Sequence, residues 1–367
     1  MANNKIKVGI TQGDTNGIGY EVILKALEDP KMTELCTPVI YGSAKIASYY
    51  RKCLELQQFN MIQIGDASQA RDNEVNIINV VGEDLVIEPG TISKAAGEAA
   101  FKALERAVAD LRNGTIDVLV TAPINKDAIQ SDTFRFPGHT EYLESSIGDG
   151  NKSLMTLCTE GLRVALVTAH MPIAKVPESV TKEAILEKLA IFNDSLKKDF
   201  GIDAPRIAVL SLNPHAGENG LLGKEEKDTI IPAIDEASEK GIWAFGPYAS
   251  DGFFGTEAYR HFDGVLAMYH DQGLAPFKTL AMAGGVNFTA GLPYVRTSPD
   301  HGTGFDIAGQ GKADPESMLH AIYAAIDIYR NRINYASARR NPLRKQYFDK
   351  SKDNVVLDLT KDDTPND

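Results

Sequence analysis

Residues 163–170 read RVALVTAH, a β-rich apolar run that turns polar and stops on a histidine. The same design returns in 206–215 (RIAVLSLNPH) and 262–270 (FDGVLAMYH) and, without the histidine, in 116–123 (IDVLVTAP). Short runs of this kind, with little polar alternation, fit strands covered on both faces, as in parallel sheets flanked by helices. Helical periodicity lies between them. Residues 92–111 align Ala96, Ala100, Leu104, Val108 and Leu111 on one stripe, and Asn113-Gly114 punctuates its end. The connections are long enough for helical crossovers. An α/β architecture with mainly parallel sheets is expected.

The 367 residues exceed what one hydrophobic core usually supports, so two domains or one large α/β unit is expected. Lys and Arg number 38 against 50 Asp and Glu, a formal charge of −12, which opposes nonspecific binding to nucleic acid or an anionic membrane. It does not exclude a small anion held by a few local cations. The opening MANNKIKVGI lacks the apolar core of a secretory signal, and no run approaches the roughly 20 apolar residues of a membrane span. Cys36, Cys53 and Cys158 are few, odd in number and without CxxC spacing, as expected for reduced thiols in the cytoplasm. Residues 358–367 (DLTKDDTPND) are polar enough to be a flexible tail.

His170, His215 and His270 all sit where an open α/β sheet builds its site, outside the carboxyl ends of strands. Imidazole suits zinc and similar ions, and three histidines with an open position form a known catalytic arrangement. The alternative is three hydrogen-bonded loop residues. Separations of 45 and 55 residues match no compact metal motif. Asp271 adjoins His270, either orienting it or capping a helix, and Asp251 in GPYASDGFFG is a loop carboxylate that could face a metal or act as a base.

Glycines 13, 17 and 19 in QGDTNGIGYE do not fit the dinucleotide-binding GxGxxG pattern, and the loop is either a ligand loop or a tight turn. In FRFPGHTEYLE, His139 and Thr140 precede a helix that Thr140 could cap, which makes an anion site or a simple cap. Residues 278–311 carry Lys278, Asn287, Arg296 and His301 among glycines with little periodicity, the profile of a functional loop. Lys278 and Arg296 offer the positive charge that a phosphate or carboxylate needs.

Taken in order, TQGDTNGIGYE, TAPINK, FPGHTEYL, TAHMPI, LNPHAGENGLLG, YHDQGLAPFK and GVNFTAGLPYVRTSPDHGTGFDIAGQGKAD resemble the PdxA family of 4-hydroxythreonine-4-phosphate dehydrogenases, over about residues 9–314. The resemblance implies a two-domain fold like that of isocitrate and isopropylmalate dehydrogenases, with the active site in the interdomain cleft. The expected division is 1–128 plus 305–350 against 129–304. It also implies a homodimer with a shared site in which one metal histidine comes from the partner chain. His170, His215 and His270 match the family's ligands for a divalent ion: zinc, magnesium or cobalt. His139, Thr140, Lys278, Asn287 and Arg296 match its substrate contacts. His301, Thr303 and Asp306 fall in a loop similar to the adenosine-binding loop of those dehydrogenases.

The reaction implied is NAD- or NADP-dependent oxidation and decarboxylation of 4-phosphooxy-L-threonine to 3-amino-2-oxopropyl phosphate, a step of pyridoxal 5'-phosphate biosynthesis. A paralogous branch acts on 4-phosphothreonate or 4-phosphoerythronate. A phosphate acyltransferase-like protein is the alternative from another class, although it leaves the three histidines idle. Gln12 and Tyr20 stand where relatives usually carry proline.

Overall fold

A computed structural model describes residues 5–82, 84–132, 134–281 and 284–341. The tail expected at 358–367 and the stretch 342–350 of the expected first domain lie outside the described residues. Among the described residues, twelve strands form one sheet: β1 (Lys7–Thr11), β2 (Thr37–Gly42), β3 (Met61–Ile64), β4 (Val75–Asn79), β5 (Val118–Thr121), β6 (Leu154–Thr159), β7 (Leu162–Leu166), β8 (Arg206–Leu210), β9 (Trp243–Tyr248), β10 (Gly264–Ala267), β11 (Val286–Ala290) and β12 (Val295–Pro299). Their order is β3-β4-β2-β1-β5-β12-β11-β6-β7-β10-β8-β9. Pairing is parallel except at β6–β7, β6–β11 and β11–β12. The mixed α/β fold with a mostly parallel sheet is therefore as expected.

The apolar runs have their physical explanation in the two faces. Val118 and Val120 of β5 enter one core cluster, whereas Leu119 enters another on the opposite side. Ile207 and Val209 of β8 likewise part from Ala208 and Leu210. Each strand buries both of its faces, so side-chain alternation leaves no polar stripe. The helix Lys94–Arg112 lays Ala96, Ala100, Leu104, Val108 and Leu111 into the interior, with Ser93 capping its first turn by accepting from Ala96 N.

Residues 278–311 differ from the loop expected. The helix His270–Ala281 includes Lys278, and β11 and β12 follow as an antiparallel pair in the middle of the sheet. The glycines that flank them, Gly284, Gly285 and Gly291, give the stretch the look of a loop, and burial on both faces removed the alternation that marks a strand. β12 also pairs in parallel with β5, so the sheet runs unbroken across the expected boundaries at 128 and 304. We propose that the two domains are lobes of this single sheet.

Candidate active site

A cavity of about 270 Å³ opens where the ends of β5, β7, β11 and β12 meet the helices His139–Ile147 and His270–Ala281. His139, Thr140, His170, His270, Lys278, Asn287, Arg296 and His301 line it. Eight of the sequence-expected residues, spread over 163 positions, thus converge on one small volume. A larger cavity of about 700 Å³ beside the helix Glu316–Ala338 has its principal charges already matched, Arg332 with Asp199 at 2.6 Å.

Arg296 sets the electrostatics of the smaller cavity. It is 2% exposed, and its bonded partners are neutral: Nε and Nη2 donate to Thr121 Oγ1 at 3.1 and 2.6 Å, and Nη1 to Thr289 Oγ1 at 3.1 Å. Burial pulls the guanidinium down to about 9, while Glu141 opposes the fall. A buried cation without a bonded counter-charge is costly and calls for an anion. Lys278 is exposed and anchors its Nζ on Asp300 O at 2.7 Å. Burial, and then the nearby Arg296 and Lys126, hold His139 well below the ordinary histidine range, so its ring is neutral. Four buried polar atoms of this wall have no protein partner: His139 Nε2, Glu141 Oε2, Asn287 Oδ1 and His301 Nε2. Such atoms keep their hydrogen-bonding capacity for a ligand or water.

Thr140 does not cap the helix as expected; Gly138 holds the cap position and His139 opens the first turn. The consequence is favourable. The positive end of the helix dipole lies among the residues that line the cavity.

His170 and His270, at the ends of β7 and β10, stand with ring centroids 5.9 Å apart. His170 Nδ1 pairs with Glu141 Oε1 at 3.2 Å, and His270 Nδ1 with Asp271 Oδ1 at 2.7 Å. Hydrogen bonding to His170 is the main cause that holds the Glu141 carboxyl below its usual range. A carboxylate on Nδ1 fixes the tautomer that leaves Nε2 for a metal. Zn–N bonds of about 2.0–2.1 Å put two imidazole centres roughly 5–6 Å apart, so this pair fits one ion. Asp271 is thus an orienting partner, in the first turn of the helix that His270 begins. Glu141 was not singled out from the sequence, although an acid in the first turn of FPGHTEYLE was visible there.

Within one chain, no described residue joins them as a third ligand. Among the described residues, no group of three or more His, Cys, Asp and Glu is placed to hold a metal. His215 is exposed and does not line the cavity. It begins five consecutive left-handed residues: His215, Ala216, Gly217, Glu218 and Asn219 have φ of 52°, 52°, 75°, 43° and 56°. This conformation costs non-glycine residues roughly 1–2 kcal/mol each, so a strained turn presents the imidazole. Asp251 belongs to the short helix Ser250–Gly255 and not to a loop; it is exposed and also lies off the cavity.

The glycine loop 12–19 packs as a buried turn against residues 301–311. Ile18 N donates to Thr303 O at 2.9 Å, and Gly309 N to Glu21 Oε1 at 2.6 Å. Gly17 permits this approach, because a Cβ there would stand 2.7 Å from Thr303 O. Of the expected cofactor residues, His301 reaches the cavity, Thr303 holds the glycine loop through its carbonyl, and Asp306 is exposed. Gln12 and Tyr20 bond to each other: the Tyr20 hydroxyl donates to Gln12 Oε1 at 2.5 Å and accepts from Ser43 N at 2.7 Å.

A buried guanidinium without an anionic partner, beside a carboxylate-oriented imidazole pair, marks a candidate active site for a small anionic substrate in an α/β protein. The family model described as pyridoxal phosphate biosynthetic protein PdxA matches residues 34–325, and the chain belongs to this family. A 4-hydroxythreonine-4-phosphate dehydrogenase from Bacteroides thetaiotaomicron is 59% identical over 359 residues, 98% of each chain. A relative from Oceanobacillus iheyensis, named for D-threonate 4-phosphate, is 38% identical over 325 residues, 88% of this chain and 97% of its own. The solved 4-hydroxythreonine-4-phosphate dehydrogenase of Klebsiella pneumoniae superimposes with a TM-score of 0.76 at 36% identity, over 89% of this chain and 100% of that one.

Proposed function

We propose that this chain oxidises 4-phosphooxy-L-threonine at its secondary alcohol with NAD or NADP, the product losing carbon dioxide, as a homodimer with a shared, metal-dependent site. Arg296 carries the reading: an enclosed cation without an anionic hydrogen-bond partner suits a phosphate monoester. The 59% identity to a relative named for this reaction favours it over D-threonate 4-phosphate, the substrate in the name of the 38% relative.

Arg296, Lys278, Asn287 and the first turn at His139 and Thr140 would take the phosphate. Neutral His139 can donate or accept there without adding charge. Anchoring one end of a short substrate fixes the position of its alcohol relative to the imidazoles, which converts binding energy into orientation. His170 and His270 would hold the metal through Nε2, their rings kept in register by Glu141 and Asp271. A bound divalent ion supplies Lewis acidity, lowering the alcohol's pKa and polarising the carbonyl through decarboxylation. His301, Thr303 and Asp306 are the proposed cofactor contacts, beside the glycine loop.

The third imidazole would be His215 of the second subunit. Both halves of the site are rimmed by exposed apolar side chains: Met171 and Ile173 next to His170, and Leu221 and Leu222 beyond His215. The edge strand β9 adds Trp243 at 54% exposure and Phe245. Apolar surface of this extent around polar groups fits an interface. Asp251, following β9 beside β8, would enter the partner's site from the same edge as His215, and is the proposed base.

The test is reduced-nicotinamide absorbance with 4-phosphooxy-L-threonine and with D-threonate 4-phosphate, before chelation, after it, and after zinc is restored. Turnover of the first substrate, lost with chelation and regained with zinc, supports the proposal. No signal from either substrate in the zinc-replete protein overturns it, and turnover of the second alone reassigns the substrate.

A further inference from the structure

The strained turn that carries His215 rests on a buried carboxylate with no part in the site described so far. Glu226 is 3% exposed. Its Oε1 accepts from Leu212 N at 2.8 Å and Asn213 N at 2.7 Å, and its Oε2 accepts from Asn213 Nδ2 at 3.0 Å. The Asn213 amide also donates to Glu225 Oε2 at 2.8 Å, and the Asn213 carbonyl accepts from Ser211 Oγ at 2.9 Å. The residue two places before His215 is therefore bonded at its backbone amide, carbonyl and side chain.

Two glycines close the arrangement around the same carboxylate. A Cβ at Gly217, at the centre of the left-handed run, would stand 2.5 Å from Glu226 Oε2. A Cβ at Gly223, where the chain returns with φ +139°, would stand 2.3 Å from Asn213 Nδ2. Left-handed conformers in non-glycine residues persist only when their surroundings over-determine them. Here the over-determination is visible: chain before the turn, turn centre and chain after it all abut Glu226 or the side chain it holds.

We infer that Glu226 is a positioning residue for His215. Its carboxylate clamps Asn213 and seats Gly217, which keeps residues 215–219 left-handed and fixes the imidazole that the turn offers to the second subunit. This rests on the reading of His215 as the ligand donated across the dimer. The clamp explains why an exposed turn can serve as half of a metal site. A freely moving His215 would have to lose its conformational freedom on each metal-binding event, whereas here folding has already fixed it.

The experiment compares wild type, Glu226→Gln and Gly217→Ala as full-length dimers. The Gln variant keeps the volume but turns an amide against the Asn213 amide. The Ala variant leaves the carboxylate intact and blocks its seat. Amide hydrogen exchange of residues 212–223 in the metal-free proteins is expected to rise about tenfold or more in both. Zinc affinity, by calorimetry on protein shown to be folded and dimeric, is expected to fall about 10–100-fold, the usual effect of losing a ligand's support. Turnover should recover at saturating zinc in both, and not in His215→Ala. Exchange and zinc affinity within twofold of wild type in both variants would overturn the inference. So would a lowered melting temperature with zinc affinity unchanged, because that marks a merely structural residue. If His215→Ala binds zinc as tightly as wild type, the shared-site reading fails instead, and exchange in the metal-free chain still judges the clamp.

Discussion

Replacing Arg296 by Met should stabilise the ligand-free protein and abolish its response to phosphate. The guanidinium is enclosed, and its depression from 12.5 to about 9 corresponds to roughly 4–5 kcal/mol of differential cost for holding the charge. Met keeps the side chain's length without the charge. Against the gain stand the bonds to Thr121 and Thr289, whose hydroxyls would lose donors at about 1 kcal/mol each. The net expectation is a ligand-free protein more stable by about 1–3 kcal/mol, with much of the wild-type affinity for phosphate gone, because charge-assisted bonds contribute about 1.5–3 kcal/mol apiece. Urea unfolding with and without inorganic phosphate measures both effects. Wild type should shift to a higher midpoint with phosphate; the variant should start higher and stay there. A less stable variant that still responds to phosphate in full would refute the argument that Arg296 is an unsatisfied cation kept for an anion.

Two further expectations follow from buried groups. Because the folded state holds His139 neutral, the unfolded chain binds the extra proton first; stability should be full above pH 6.5 and fall below it, by up to about 1.4 kcal/mol per pH unit. Urea midpoints from pH 8 to 5 should show this slope, and His139→Gln should flatten it; an unchanged slope in the variant would assign the effect elsewhere. Tyr20→Phe should cost about 2–4 kcal/mol, because Gln12 Oε1 and Ser43 N both lose a partner in the interior. A double-mutant cycle with Gln12→Ala checks the pairing: a zero interaction energy would mean that the two side chains act independently.

The sequence disclosed the fold where burial was two-sided and repeated. β5, β7, β8 and β10 announced themselves as apolar runs ending in polar turns, and the helix Lys94–Arg112 by its alanine and leucine stripe. β11 and β12 did not, because the glycines around them resemble a loop and their two buried faces erase alternation. Arg296 was visible as a cation but not as an enclosed one, since enclosure comes from Thr121 and Thr289, which are distant in the chain. Glu141 went unremarked because an acid near a helix start has an ordinary reading as dipole compensation. The left-handed turn at 215–219 had only one glycine and one asparagine to suggest it; its cause is Glu226, which lies beyond the motif.

The division of one site between two chains is most directly measured by mixing inactive variants. His170→Ala keeps His215 to donate, and His215→Ala keeps His170 and His270 to receive. Unfolded together in equal amounts and refolded, they should form heterodimers with one intact site, and random pairing predicts about one quarter of wild-type activity and of zinc bound at high affinity. Each variant refolded alone should show neither. A mixture as inactive as its components would contradict a site completed across the dimer.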